Sequence, residues 1–199
     1  MAKNKKIERR TIPASAACTP QQLYMIGTYN SDGTVFLQTQ AFVCYIPGPP
    51  ESMIVGIVES DQIKENIIRE QAFSLNQCNV DMRFLAESSW RGYNPEVDGN
   101  KGIGYSSGTK LNVPMLDASP YVIECKISQS FNIGNTTIFI AESVCNHVDS
   151  RHILPYPESN KDVFDWYANQ NAVDFDPLLY AFKFFTLNEN IGQLDKNDF

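Results

Sequence analysis

The sequence predicts a mostly β fold: an antiparallel barrel, closed or partly closed, with a few short helices. Three observations carry that expectation. Runs rich in β-branched and aromatic residues follow one another, separated by turn residues. Helical spacing is confined to 61–70, a segment after Asn79, and 161–169. The two longest strand-like runs, 121–131 and 136–148, are joined by Asn132-Ile133-Gly134-Asn135, which reads as a hairpin turn. Long antiparallel strands with little helix to cover their edges are best accommodated by closure.

The elements follow in order. Leu23 to Tyr29 is apolar and β-prone, and Asn30-Ser31-Asp32-Gly33 reads as a turn. Thr34 to Tyr45 is expected as one return strand, with Phe36, Gln38, Gln40 and Phe42 on one face and Leu37, Thr39, Ala41 and Val43 on the other. Pro47-Gly48-Pro49-Pro50 ends it, because proline has no N–H for a ladder. A third strand, Ser52 to Glu59, runs directly into the helix, where Ile63, Ile67 and Ile68 form an apolar stripe. A short strand is expected at Ala72 to Gln77. Asn79 then caps a second helix carrying Met82, Leu85 and Ala86 on one side. Ser88 to Val113 is rich in Gly and Ser and weakly patterned, which suits a functional loop or an excursion over a partner. After the long hairpin a helix near Lys161 to Asn169 and a strand from Tyr180 to Leu187 complete the chain.

The chain has 199 residues, 43% hydrophobic and 20% charged, an ordinary composition for one globular domain. Its formal net charge is -7, but the first ten residues hold five Lys/Arg and one Glu, so the remainder stands at -11. We read residues 1–18 as a basic, solvated tail and 19–199 as the domain. An acidic body repels phosphate backbones, which argues against nucleic acid. No apolar run approaches the ~18 residues that span a bilayer, and the basic start leads into no apolar stretch, so neither a membrane span nor a secretory leader is expected. Five cysteines without a C-x-x-C pair argue against a disulfide framework or a zinc ribbon and suit a reducing cytoplasm.

The order of several segments resembles the flavin reductase-like family of FMN-binding split barrels, most closely its flavoredoxin-type branch. They are LYMIGTYNSDGT, AFVCYIPGPPESMIVGI, SDQIKENI, PYVIECKIS, TTIFIAESVCNHVD and DPLLYAFKFFTLNENIG, which together run from about Gln21 to Gly192. The resemblance implies a Greek-key antiparallel split barrel. It also implies FMN at a homodimer interface, and electrons from NADH, NADPH or a redox protein partner.

The junction of the third strand with its helix crowds Ser60, Asp61, Gln62, Lys64 and Asn66 together. A helix N-terminus leaves free N–H groups and a partial positive charge, so it suits an anion. In the family this junction helps to hold the FMN phosphate, which implies roles for Ser60, Lys64 and Asn66. Read from the residues alone, Ser60 or Asp61 caps the helix and Lys64 is solvated. A threonine common in the family's turn is Ile63 here, and an asparagine frequent after the Asp-Gly turn is Phe36. The family also runs Thr39, Gln40, Ala41, Phe42, Val43 and Cys44 alongside the isoalloxazine ring. Phe42 stands where many members have tryptophan, and Cys44 where serine is common. Without the resemblance this is a half-buried strand. His147 matches a histidine near the flavin and the donor path, or is a strand-end histidine facing water. Lys101 resembles a phosphate-binding lysine of some members, or is a solvated loop charge.

Other chemistries find no support. Gly102 to Gly108 has the wrong spacing for a dinucleotide fingerprint, and no strand precedes it. His147 and Asp149 share a strand face but His152 lies beyond it, so no metal site is expected. No nucleophile elbow is present. The function the resemblance implies is an FMN-dependent oxidoreductase in which flavin supplies the hydride chemistry and no side chain needs to be an acid or base. The alternatives are a flavin carrier reduced by a partner protein, and a barrel that has lost flavin and serves as a scaffold.

Overall fold

The computed structural model describes residues 11, 21–58, 61–99, 103–151, 179–180, 184–185 and 190–192. Its first half holds β1 (Gln21–Gln22), β2 (Tyr24–Tyr29), β3 (Val35–Gln40), β4 (Val43–Ile46), β5 (Ser52–Val58), α1 (Asp61–Glu70) and β6 (Ala72–Gln77). A 3-10 turn, Val80–Met82, leads into α2 (Arg83–Ser88). Then come β7 (Tyr105–Ser107), β8 (Pro114–Leu116), β9 (Tyr121–Ile133) and β10 (Thr136–Val148). The short strands β11 (Leu179–Tyr180), β12 (Phe184–Phe185) and β13 (Asn190–Gly192) join β1 in a small sheet. Among the described residues no helix is long and apolar enough to cross a membrane.

Seven strands form one antiparallel sheet in the order β3-β2-β6-β9-β10-β5-β4. Its two edge strands, β3 and β4, are consecutive in sequence and separated only by Ala41 and Phe42. Two residues cannot cross the width of a flat seven-stranded sheet, whose strands lie about 4.8 Å apart. The sheet must therefore curl until its edges meet, and the result is a split barrel. All seven strands contribute to one apolar interior. Tyr24, Ile26, Met53, Val55, Ile57, Phe73, Leu75, Ile123, Cys125, Phe139 and Ala141 are buried there, with Phe36 and Val43 packed against them. Helix α1 adds Ile63 and Ile67, both 0% exposed.

The expected single strand from Thr34 to Tyr45 is thus two strands on opposite edges. Leu37 and Val43, expected on one face, part company: Leu37 belongs to an outer core and Val43 to the barrel interior. The alternation breaks because Gln40 Oε1 accepts both Ala41 N (2.9 Å) and Phe42 N (3.0 Å), which takes these donors out of a ladder. Other boundaries agree closely with the sequence reading. Helix α1 starts at Asp61, β6 spans Ala72–Gln77, and Asn79 Oδ1 caps the 3-10 turn through Met82 N. The helix expected at 161–169 lies outside the described residues, as does most of the strand expected at 180–187.

The outer core lies on the other side of β2 and β3. Leu23, Met25, Val35 and Leu37 meet Met82 and Ala86, together with Tyr93 and Leu116. Tyr93 also forms a bridge with Leu37. The weakly patterned segment from 88 to 113 therefore folds partly over its own chain, with Trp90 and Ile103 packed against this core. Farther along, the β7–β8 hairpin crosses the outer face of β2 and β6. Asn76 Oδ1 accepts Leu116 N at 2.7 Å, and Ser74 Oγ donates to Pro114 O.

Gly27 makes that crossing possible. A Cβ there would stand 2.5 Å from Ser74 Oγ and 2.7 Å from Pro114 O. Gly27→Ala is therefore expected to lower stability by about 1–3 kcal/mol, read by urea denaturation. An unchanged midpoint would show that the hairpin does not seat this closely.

Candidate functional site

The corner between β3 and β4 is the accessible part of the predicted ring-binding segment. Phe42 is 57% exposed and Cys44 is exposed, while Val43 points into the barrel. Phe42 O accepts Gly56 N at 3.0 Å, and Phe42 Cβ would stand 3.7 Å from a Cβ at Gly56. Outward neighbours follow from the register: Ile138 pairs with Gly56 and Phe131, and Ile140 pairs with Ile54. Phe131 (48% exposed), Ile133 (63%) and Val58 (45%) extend the same outer face. The corner thus opens on an apolar shelf; Gly56 itself is buried beneath it, with Ile138 Cδ1, Thr136 Cγ2 and Phe42 Cβ 3.5–3.7 Å from where its Cβ would stand. The other residues of this segment are engaged internally. Thr39 Oγ1 donates to Ala86 O at 2.8 Å and lies 2.9 Å from Ser89 Oγ. Gln40 and Ala41 are buried.

The polar crowding at the start of α1 has a structural use. Asn66 is 0% exposed. Its Nδ2 donates to Thr28 Oγ1 (3.1 Å) and Asn30 Oδ1 (2.9 Å). Its Oδ1 accepts from Gln62 Nε2 and Arg69 Nη1, both at 3.0 Å. Arg69 also donates to Tyr29 O. Asn66 therefore ties α1 to the β2–β3 turn through bonds within the chain. A buried amide satisfies its hydrogen bonds locally, as Asn66 does here. Ile63, where the family carries threonine, belongs to the barrel interior. Lys64 stands half-buried in the first turn of α1. Ser60 and Lys101 lie outside the described residues.

His147 lies elsewhere, near the end of β10. Its Nε2 is 2.7 Å from Oε1 of Glu124. Glu124, on β9, is 0% exposed and has four further donors. Thr109 N (2.8 Å) and Thr109 Oγ1 (2.9 Å) reach Oε1; Lys110 N (2.9 Å) and Leu111 N (2.6 Å) reach Oε2. Burial by itself would raise the pKa of this carboxyl, but His147 and the three loop N–H groups outweigh it and hold the pKa near 2. An ionised carboxylate only accepts, so His147 carries a proton on Nε2. Cys145 completes a trio with Glu124 and His147 whose ligand atoms lie within 4.8 Å of one another. Both carboxylate oxygens are already saturated by donors, so the trio is a clamp on the loop at 109–111 and not an open ligand set. A cavity of about 250 Å³ adjoins it, lined by residues that include Ser106, Met115, Asp117, His147 and Asp149.

Sequence reasoning missed Glu124. The signal was present: a carboxylate inside Tyr121-Val122-Ile123-Glu124-Cys125 must find donors once the strand is buried. Their identity was not readable, because they come from a loop 13 to 15 positions away.

A mostly antiparallel sheet rolled into a split barrel, plugged by one helix and overlaid by a small hairpin, is the architecture of a flavin-binding class. The model of the flavin reductase-like domain matches residues 16–183, and the chain belongs to that family. Membership supports a flavin cofactor and an oxidoreductase function. Among solved structures, flavoredoxin from Methanosarcina acetivorans superposes with a TM-score of 0.74 at 19% identity, covering 96% of this chain and 97% of that one. An FMN-binding protein from Thermus thermophilus with bound 1-cyclohex-2-enone gives 0.69 at 12% identity, with 92% and 95% covered. Flavoredoxin of Desulfovibrio vulgaris (Miyazaki F) gives 0.68 at 18% identity, with 97% and 98% covered. At these identities the likeness establishes the shared fold. No curated protein sequence matches significantly.

The described residues fit a flavin in part. The apolar shelf around Phe42 and Phe131 suits one face of a flat ring. The first turn of α1, with Lys64, suits a phosphate. The backbone donors of Ala41 and Phe42 are held by Gln40, so a ring carbonyl reaches them only if that side chain gives way.

Glu124 also contributes to the acid sensitivity of the fold. Its pKa falls from an ordinary 4.5 to about 2, so the stabilisation it contributes is present above pH 4.5 and is lost as the pH drops through 2. Thermal melts between those limits should fall less steeply for Glu124→Gln than for the wild type. Parallel curves would mean that the clamp contributes nothing to acid stability.

Proposed function

We propose that this protein is an FMN-dependent oxidoreductase that works as a homodimer, taking electrons from NADH or NADPH. The observation that carries this reading is the family match over 16–183, together with an exposed apolar shelf at the corner the family runs along the ring. Bound flavin would supply the hydride and electron chemistry. The chain's own part is to bind and orient. Phe42 shields one ring face from water, and Lys64 offers charge to the phosphate. Free thiols at Cys44, Cys78, Cys125 and Cys145 favour a reducing, cytoplasmic setting. The second reading is a flavin carrier reduced by a partner protein, which the likeness to two flavoredoxins favours.

The placement of the candidate residues supports the homodimer reading. Nine residues of β10 separate Ile138, beside the shelf, from His147, roughly 30 Å at about 3.3 Å per residue. One ring cannot contact both within a single chain. A second copy packed on the apolar outer face would bring another His147 to the shelf and cover Phe131, Ile133 and Val58.

The visible spectrum tests the cofactor. FMN titrated into the purified protein should give a bound-flavin spectrum, and NADH or NADPH should bleach it without a partner. Bleaching only with an added redox protein would favour the carrier reading, and no binding at all would overturn both. Lys64→Ala should weaken FMN by roughly 1.5–3 kcal/mol, as for a charge-assisted contact, and leave riboflavin affinity nearly unchanged. Equal losses for the two ligands would reduce Lys64 to a surface residue. Light scattering of the flavin-loaded protein should give twice the 22.4 kDa chain mass, and Ile138→Glu should lower it. A wild-type monomer would remove the shared site.

A further inference from the structure

We propose that Glu124 is a positioning residue that sets the His147 ring and the 108–111 loop as one unit, and through them the walls of the adjoining cavity. Its bearing on the reaction rests on the flavin reading above; its bearing on the geometry does not.

Three independent features converge on this carboxylate. The first is donor count: five hydrogen-bonding contacts from Thr109, Lys110, Leu111 and His147 end on a side chain with no exposed surface. The second is a steric allowance on the loop side. A Cβ on Gly108 would stand 2.5 Å from Leu111 O and 2.7 Å from Glu124 Oε2, so the loop reaches the carboxylate only because residue 108 has no side chain. The third is the make-up of the cavity. One wall is Ser106, Met115 and Asp117 from the β7–β8 hairpin and its exit; the other is His147 and Asp149 from the end of β10 and beyond. Glu124 lies on β9, between these walls. It holds the loop connecting β7 to β8 with both oxygens, and its Oε1 also takes the imidazole of His147.

Loop N–H groups without an acceptor would turn to solvent, and an imidazole without its acceptor would lose its fixed orientation. The cavity would then lose the spacing of its two walls at once. Such a residue acts through others and touches no reacting atom. Its removal should change how a donor is admitted more than how fast chemistry runs.

Glu124→Gln tests this, because it keeps the shape, removes the charge and converts one acceptor into a donor facing N–H groups. Amide exchange at Thr109, Lys110 and Leu111 should rise at least tenfold, while amides in the middle of the β9–β10 ladder keep their protection. The His147 ring signals in 15N NMR should move. In FMN-loaded protein, KM for NADH or NADPH should rise about tenfold, with kcat within about threefold of wild type. Thr109→Ala attacks the same clamp from the exposed loop, leaves Glu124 in place, and should show the same pattern at smaller amplitude; it decides the matter if Glu124→Gln does not fold. Unchanged exchange at 109–111 would overturn the clamp. Faster exchange with unmoved His147 signals and unchanged KM would make Glu124 purely structural and overturn its positioning role. If the wild type binds no flavin, the flavin reading fails separately, and exchange with the His147 signals decides the clamp.

Discussion

The short link between β3 and β4 is the constraint on which the architecture depends. Ala41 and Phe42 join the two outermost strands of a seven-stranded sheet, so the sheet cannot lie flat. Closure follows from chain connectivity, and the interior follows from closure: residues of all seven strands face one volume, with Ile63 and Ile67 of α1 packed among them. Gln40 makes the corner tolerable. Its side-chain carbonyl accepts the two backbone donors that leave the ladder there, so a bend that would otherwise bury unpaired N–H groups has none at this point.

Once the barrel is closed, its outer surface near β2, β6 and β9 becomes a second packing face. That face is unusual in being partly polar. Ser74, Asn76 and Glu124 are each 0% exposed, and each bonds to the β7–β8 hairpin or its loop. The small hairpin is therefore fixed by directional hydrogen bonds more than by apolar area. Such bonds specify position sharply, because a buried polar group without its partner costs about 1–3 kcal/mol. By contrast, the outer face near Phe42, Ile138 and Phe131 is apolar and, among the described residues, uncovered. The molecule thus has one outer face satisfied by its own chain and one suited to another surface.

The candidate site was legible unevenly. The corner at 39–44 stood out in sequence, yet only Phe42 and Cys44 are exposed, because the bend reverses the alternation on which a face assignment relies. The polar cluster at the start of α1 stood out as well. Its most buried member, Asn66, serves to tie the helix to Thr28 and Asn30. Sequence cannot distinguish an amide that holds a ligand from one that holds a neighbouring turn, since both need the same donors and acceptors. His147 was visible as a lone histidine near a strand end; its partner Glu124 was not.

By itself the sequence determined what is local or periodic. The strand start at Ser52 and the limits at Asp61–Glu70 and Ala72–Gln77 follow from turn residues, capping and apolar spacing, which act within a few residues. The order of segments along the chain also sufficed for the family. The tertiary structure alone decided which polar residues meet: Glu124 with a loop 13 to 15 positions before it and a histidine 23 after, and Asn66 with a turn 36 to 38 before. Such pairings depend on register and curvature, which arise only when the whole sheet closes, and no short window of sequence contains them.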